Sequence, residues 1–302
     1  MREALQRWAV KRVLNVSRAV LAREPSPERV RSLVARASPL IARREAYQAS
    51  APVAVGEAQA RWVQPTGAQT AGVILYFHGG GFIAECRAIH DPLLAALGRA
   101  ADSRGLMVDY RLAPEHPFPA ATDDCFAAWN FLLSSGIDPG RIVIAGDSAG
   151  GNLAVVTAMR ARDEGLPQPA GLVLMSPVLD LTFGGASIDR NDGFDPMFRA
   201  NSVRSLGQWY GTGMDPRDPR LSPLYGRLTG LPPTLVVVGS SELLLDDSLK
   251  FAAKVTGARL SVWHDMPHVF PAMRGLLAGD RAIAEIGDFI RERTAAATAG
   301  AG

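Results

Sequence analysis

Cysteine is almost absent from this chain: Cys86 and Cys125 are the only two in 302 residues. Two thiols cannot build a disulfide framework, and no Cys- or His-rich spacing suited to a metal accompanies them, so both read as small buried hydrophobes. Lysine is nearly missing as well. Lys11, Lys250 and Lys254 stand alone, and arginine supplies the rest of 32 positive charges against 30 negative ones. A balance this even offers no field for phosphate backbones or anionic surfaces, and nucleic acid is not an expected partner. Long apolar runs are lacking too. Nothing approaches the roughly 20 residues of a membrane span, and the N-terminus has no unbroken apolar stretch of the signal-peptide kind. The expectation is a cytoplasmic protein without stable membrane insertion.

What is present suits one large domain with a modest appendage, since 47% of the residues are hydrophobic. From Met1 to about Arg44, Leu5, Trp8, Ala9, Val13, Val16, Val20 and Leu21 recur at roughly helical spacing among arginines. A helix packed on the protein's own body is the expectation, and a basic amphipathic helix resting on a membrane surface is the alternative. Beyond Ala51 and Pro52, short runs of Val, Ile and Leu alternate with helical patterns, the mark of an α/β fold with a largely parallel sheet buried on both faces. The spacing predicts strands at Val73–Phe77, Leu106–Tyr110, Arg141–Ala145, Gly171–Met175, Thr234–Val238 and Arg259–Trp263. Helices are predicted at Asp91–Ala101, Ala120–Ser134, Ala149–Glu164, Asp246–Thr256 and Asp280–Thr294. The rhythm breaks only between about Leu179 and Leu231, a stretch too long to be an idle loop. The resulting division is N-terminal cap helices in 1–50, a catalytic domain in 51–178 and 232–294, a helical cap insertion in 179–231, and a weakly ordered tail in 295–302.

Gly146-Asp147-Ser148-Ala149-Gly150 matches G-x-S-x-G, the sharp strand-to-helix turn that lifts a serine hydroxyl above a sheet's edge. About 0.2 such matches would arise by chance in a chain of this composition. Its context makes it specific: Arg141–Ala145 is an apolar strand running into it, and Asn152–Val156 continues as a helix. At a helix N-terminus Ser148 would meet free N–H groups and a favourable dipole, with the Ala149 N–H as an oxyanion donor.

A serine hydroxyl needs a base to become nucleophilic, and only His78, His90, His116, His264 and His268 are available. His268, in the loop after the last strand, fits the chain order Ser, acid, His; His264 at the strand's end reads as a surface residue. The acid should follow Thr234–Val238, where Glu242, Asp246 and Asp247 compete. Glu242 lies nearest the strand's end, whereas the two aspartates look like the first turn of the next helix. His78-Gly79-Gly80-Gly81-Phe82 follows the first strand, and its glycines let backbone N–H groups approach a developing oxyanion. A phosphate loop is excluded, because neither G-K-[ST] nor G-x-G-x-x-G accompanies them.

With these segments placed, the chain resembles the hormone-sensitive-lipase-like esterases, also called bacterial family IV. The matching stretches are His78–Phe82, Asp109–Ala120, Gly146–Asn152 and His268–Phe270, in the family's order and spacing. The resemblance implies an eight-stranded α/β-hydrolase sheet, a two-part helical cap and no cofactor or metal. It further implies hydrolysis of short- to medium-chain acyl esters through Ser148, Glu242 and His268. Gly80 and Gly81 would be the oxyanion donors beside Ala149, with His78 and Gly79 supporting their loop. Two departures stand out: the family's usual acid is Asp where Glu242 stands, and its common Gly after the histidine is Val269. The substrate pocket is expected to draw on Trp8, Phe82, Phe198, Trp209, Val269 and Phe270, with Phe194, Met197 and Tyr210 as further cap aromatics or fillers. Lactones, thioesters, carbamates or activated amides could share the machinery, and a catalytically silent ligand-binding receptor is the non-enzyme alternative. A homodimer through the sheet edge near the last strand is the expected assembly.

Overall fold

A computed structural model describes Trp8 and residues 10–15, 18–19, 26–67 and 71–299. Leu5, Ala9, Val16, Val20 and Leu21 of the N-terminal pattern, and residues 300–302, lie outside the described residues. In chain order, helix α1 (Pro27–Ile41) precedes three short strands, β1 (Tyr47–Ala49), β2 (Val53–Val55) and β3 (Ala58–Pro65). Strands and helices then alternate through β4 (Gly72–Phe77), α2 (Arg87–Ala100), β5 (Ser103–Asp109), α3 (Ala120–Ser134), β6 (Ile142–Asp147), α4 (Ala149–Asp163) and β7 (Gly171–Met175). An insertion carrying α5 (Ala186–Arg190) and α6 (Ala200–Tyr210) follows. The chain closes with β8 (Thr234–Gly239), α7 (Leu245–Lys254), β9 (Arg259–Trp263) and α8 (Leu277–Ala299).

The strands form one sheet in the order β1-β3-β5-β4-β6-β7-β8-β9, with β2 paired to β3 off that line. Neighbours from β5 to β9 are parallel, while β3 runs antiparallel to β1, β2 and β5. Every residue of β4, β6, β7 and β8 is buried, because helices cover both faces and each face needs apolar side chains. The alternation is visible within β4. Val73, Leu75 and Phe77 join Trp129 and Leu153 on one face, and Ile74 and Tyr76 join Leu93 and Ile286 on the other. Each such aliphatic side chain contributes about 1.5–3 kcal/mol by leaving water.

This topology decides where chemistry can occur. From β4 the chain crosses to β5 on one side and later to β6 on the other, so a crevice opens at the carboxyl ends of β4 and β6. Register places Phe77 opposite Gly146, and the loop after β4 leaves the sheet beside the turn after β6. Gly239 likewise lies opposite Trp263, which brings the loops after β8 and β9 together.

Most predicted strands and helices differ from the structure by one to five residues at an end, and the larger differences lie at the margins of the sheet and of the chain. The sheet begins at Tyr47 rather than near Ala51, and β1 to β3 add an antiparallel margin. Two of these strands have only three residues, and the third buries an arginine, Arg61, so none shows a clean apolar alternation. The last helix runs to Ala299 instead of ending at Thr294, since its alanine-rich end has high helix propensity. The sheet counts nine strands, eight in line with β2 beside them. Among the described residues no helix is long and apolar enough to cross a membrane.

Candidate active site

Between β6 and α4 the backbone turns at Ser148, with φ 52° and ψ −117°. A side-chain-bearing residue in that region costs about 1–3 kcal/mol, which surrounding contacts must offset. The Ser148 N–H donates to the Met175 carbonyl at 2.9 Å, and its own carbonyl accepts the Val178 N–H at 3.1 Å. The flanking glycines are set by close packing. A Cβ on Gly146 would lie 2.3 Å from the Gly150 carbonyl oxygen, and one on Gly150 would lie 1.9 Å from that of Phe77. Ala149 opens α4, so its N–H has no intrahelical acceptor.

The glycine loop after β4 is braced from below. The His78 ring stacks on Tyr110 at 4.2 Å between centroids, and the Tyr110 hydroxyl donates to the His78 carbonyl at 2.7 Å. Burial, and then the neighbouring His90, pushes His78 down to about 4, so its ring is neutral at neutral pH. Gly79 donates its N–H to Asp147 Oδ1 at 3.0 Å. Gly80 and Gly81 adopt φ values of 125° and 63°, a region glycine tolerates. Both line the same cavity as Ser148, and among the described residues no carbonyl takes either N–H.

Lining the same cavity, His268 has its Nδ1 2.8 Å from Glu242 Oε2, with Glu242 fully buried and His268 only 3% exposed. The second carboxylate oxygen of Glu242 accepts the Ser176 hydroxyl at 2.8 Å and the Gly239 N–H at 2.5 Å. The Val269 N–H in turn donates to Ser176 Oγ at 3.0 Å, so one serine ties the acid loop to the histidine loop. The competing carboxylates are engaged elsewhere. Asp246 accepts the Ser187 N–H and pairs with Arg190. Asp247 accepts the Leu179 and Asp180 N–H groups, and burial raises it to about 7. His264 is exposed. For His268, burial favours the neutral ring, but the Glu242 hydrogen bond and charge, with Asp195 and Asp147 behind them, outweigh it and raise the pKa. With Nδ1 engaged, Nε2 is the nitrogen left for the cavity.

The cavity measures about 190 Å³ and is walled almost entirely by carbon. Helix α1 contributes Val30, Leu33, Val34, Ala37 and Ile41, a spacing of three and four residues that marks one helical face. The insertion contributes Met197, Phe198, Val203 and Gly207. Of the residues expected at the pocket, Phe82, Phe198 and Val269 are on its wall and Trp8, Trp209 and Phe270 are not. Trp8 is 56% exposed and stands near Arg12, while Leu14 of the same segment faces the cavity. Helical spacing alone did not reveal which face turns inward. Phe270 is fully buried beside Trp263, and Trp209, on α6, packs against the hydrophobic core. Phe194 is largely exposed, and Tyr210 stacks on Phe82 from behind. Val269 takes the left-handed conformation, φ 51°, a strained choice for a β-branched residue.

Sequence reasoning missed several supporting residues. Asp147, the variable position of the pentapeptide, accepts from Tyr76 and Gly79 and lies 3.5 Å from His90 Nε2. A carboxylate at the end of a wholly apolar strand is the signal that could have found it. Ser176, Asn191 and Asp195 act over long sequence separations and carry no local pattern.

A cleft at the carboxyl ends of a parallel sheet, with a serine on a strained strand-to-helix turn, defines the α/β hydrolases. Residues 74–272 match the family described as alpha/beta hydrolase fold. The chain is 42% identical over 247 residues to an acetyl-hydrolase of Streptomyces hygroscopicus, covering 80% of this chain and 82% of that one. Its structure is similar to that of an esterase from the bacterial hormone-sensitive lipase family, with TM-score 0.89, 37% identity and coverage of 96% and 98%. A mutant of the esterase E40 gives TM-score 0.90 at 37% identity, covering 95% and 98%. The chain belongs to the hormone-sensitive-lipase-like esterases of this fold and is a carboxylic ester hydrolase.

Proposed function

We propose that the protein hydrolyses short- to medium-chain acyl esters through Ser148, His268 and Glu242, by way of an acyl-enzyme. The observation that carries this reading is the buried 2.8 Å contact between His268 and Glu242 on a cavity that also holds Ser148 and the Gly80–Gly81 loop. Ser148 Oγ attacks the ester carbonyl while His268 Nε2 takes its proton, and Glu242 stabilises the resulting imidazolium. The N–H groups of Gly80, Gly81 and Ala149 receive the oxyanion, each such donor being worth about 3 kcal/mol in the transition state. The imidazolium then protonates the leaving alcohol, and a water activated by the same histidine hydrolyses the acyl-enzyme. The carbon walls suit an acyl or alkyl chain, and the small volume favours shorter ones.

The test is turnover of p-nitrophenyl butyrate, hexanoate and palmitate by wild type and Ser148→Ala. Wild type should cleave the shorter two far faster than palmitate, and the variant none of them; equal rates from both proteins would refute the reading. The cavity wall makes a second prediction. Phe198→Ala should shift the preferred acyl length, changing the ratio of kcat/KM between neighbouring chain lengths about 10-fold. Trp209→Ala, off the wall, should leave that ratio alone.

A pH profile supplies a third. The imidazole must be neutral to act as base, and His268 titrates above its ordinary value. Activity should therefore be lost as pH falls through a midpoint above about 6.5 in kcat/KM. A midpoint well below that value would mean that His268 is not held by buried carboxylates in the active enzyme.

A further inference from the structure

Asp195 lies in the insertion between α5 and α6, and the mechanism above does not use it. Its carboxylate is 1% exposed and accepts three backbone N–H groups: Met197 at 2.7 Å and Phe198 at 3.0 Å on Oδ1, and Leu243 at 2.9 Å on Oδ2. Asn191, four residues earlier, donates Nδ2 to the Glu242 carbonyl at 2.7 Å and to the Ser240 carbonyl at 3.2 Å. Both polar groups of the Glu242–Leu243 peptide are thus held by the insertion rather than by the sheet.

The same carboxylate reaches the histidine by a second route. Phe198, whose N–H it fixes, sets its ring edge-on to His268, with centroids 5.1 Å apart and planes at 72°. The Phe198 carbonyl accepts Arg18 Nε at 3.2 Å, so the N-terminal segment holds the peptide that follows Phe198. Carboxylates are rarely buried without a cation, because desolvation costs several kcal/mol. Among the described residues no arginine or lysine pairs with Asp195. Burial raises its pKa above the ordinary carboxylate value, and the three N–H donors, its only partners among the described residues, act against that rise in favour of the ionised form.

We infer that Asp195 is a positioning residue for ester hydrolysis, locking the Glu242–Leu243 peptide and the Phe198 ring around His268, so that the insertion completes the catalytic site as well as roofing it. This rests on the triad reading of Glu242 and His268. Glu242, from the loop after β8, bonds the imidazole directly, and the charges of Asp195 in the insertion and Asp147 at the nucleophile turn add to its support of the protonated ring. Removing the charge of one lowers the pH at which the ring loses its proton.

The test compares Asp195→Asn, Asp195→Glu and Asn191→Ala, with kcat expressed per Ser148 titrated by a phosphonate. An amide has one acceptor oxygen, so Asp195→Asn turns an NH₂ group towards one of the three N–H donors. We expect kcat about 10- to 100-fold lower with KM little changed, the cost of a displaced catalytic group. The acidic limb of kcat/KM should move to lower pH. Asp195→Glu should return that limb to the wild-type position while kcat stays reduced. Asn191→Ala should lower kcat without moving the limb, because it removes a grip and no charge; it also serves if Asp195→Asn fails to fold. Wild-type kcat in both Asp195→Asn and Asn191→Ala, or losses that vanish on normalising to titrated Ser148, would overturn the inference. If Glu242→Gln is itself fully active, the triad reading fails; if it is inactive while the Asp195 variants behave as wild type, only the present inference fails.

Discussion

Ser148→Ala is expected to lower kcat about a million-fold and leave the fold intact. Alanine keeps the Cβ, so the strain at φ 52° is unchanged, and the backbone bonds to Met175 and Val178 do not involve the hydroxyl. Only the nucleophile is lost. KM for a p-nitrophenyl ester should change little, since the carbon walls and the oxyanion N–H groups remain. The check is a pair of progress curves with thermal melts of both proteins. Residual turnover within a hundred-fold of wild type would mean that another group attacks the ester.

Glu242→Gln is expected to cost about 10⁴-fold in kcat, and the hydrogen bonds say why. Glu242 Oε1 accepts the Ser176 hydroxyl and the Gly239 N–H, so an amide would keep its oxygen on that side. Its NH₂ group would then face His268 Nδ1, which must accept instead of donate. The ring proton moves to Nε2, and the nitrogen that should take the Ser148 proton already carries one. Loss of the charge also removes the main support for the imidazolium, so the acidic limb of the residual activity should fall to lower pH. Glu242→Asp keeps the charge but withdraws it by about one methylene; it should recover more activity than Gln and hold the limb nearer the wild-type position. The measurement is kcat/KM against pH for the three proteins. A Gln variant within ten-fold of wild type, its limb unmoved, would remove Glu242 from the mechanism.

How much of this was readable before the structure depends on which forces act locally. β4, β6, β7 and β8 are buried on both faces, and uninterrupted apolar runs such as Val73–Phe77 announce them. The serine turn is legible for a related reason: the glycines at 146 and 150 are imposed by contacts within a few residues and by the adjacent β4. By contrast β1 to β3 are short, and Arg61 is buried against Asp91 and Asp109, so the polar side chain that would argue for a surface in fact lies inside. Position after the strand favours Glu242 over Asp246 and Asp247, but the partners that engage the two aspartates, Ser187, Arg190 and Leu179, sit more than fifty residues away and leave no local pattern.

The cavity was the least legible part. Aromatic side chains in the cap drew attention to Trp8 and Trp209, yet the wall is mostly aliphatic, drawn from α1, the insertion and the catalytic loops, with Phe82, Phe183 and Phe198 as its aromatic rings. Size and aromaticity predict burial, but not which surface a side chain is buried against. The clamp formed by Asn191 and Asp195 has the same origin, because each acts on a backbone group of a loop some fifty residues further along.

Intact-mass spectrometry after exposure to a p-nitrophenyl alkylphosphonate, followed by peptide mapping, tests most directly whether Ser148 forms a covalent intermediate with help from His268. One adduct per chain on Ser148, absent from Ser148→Ala and formed far more slowly by His268→Ala, is the expected result. An adduct on another residue, or labelling of His268→Ala at the wild-type rate, would contradict it.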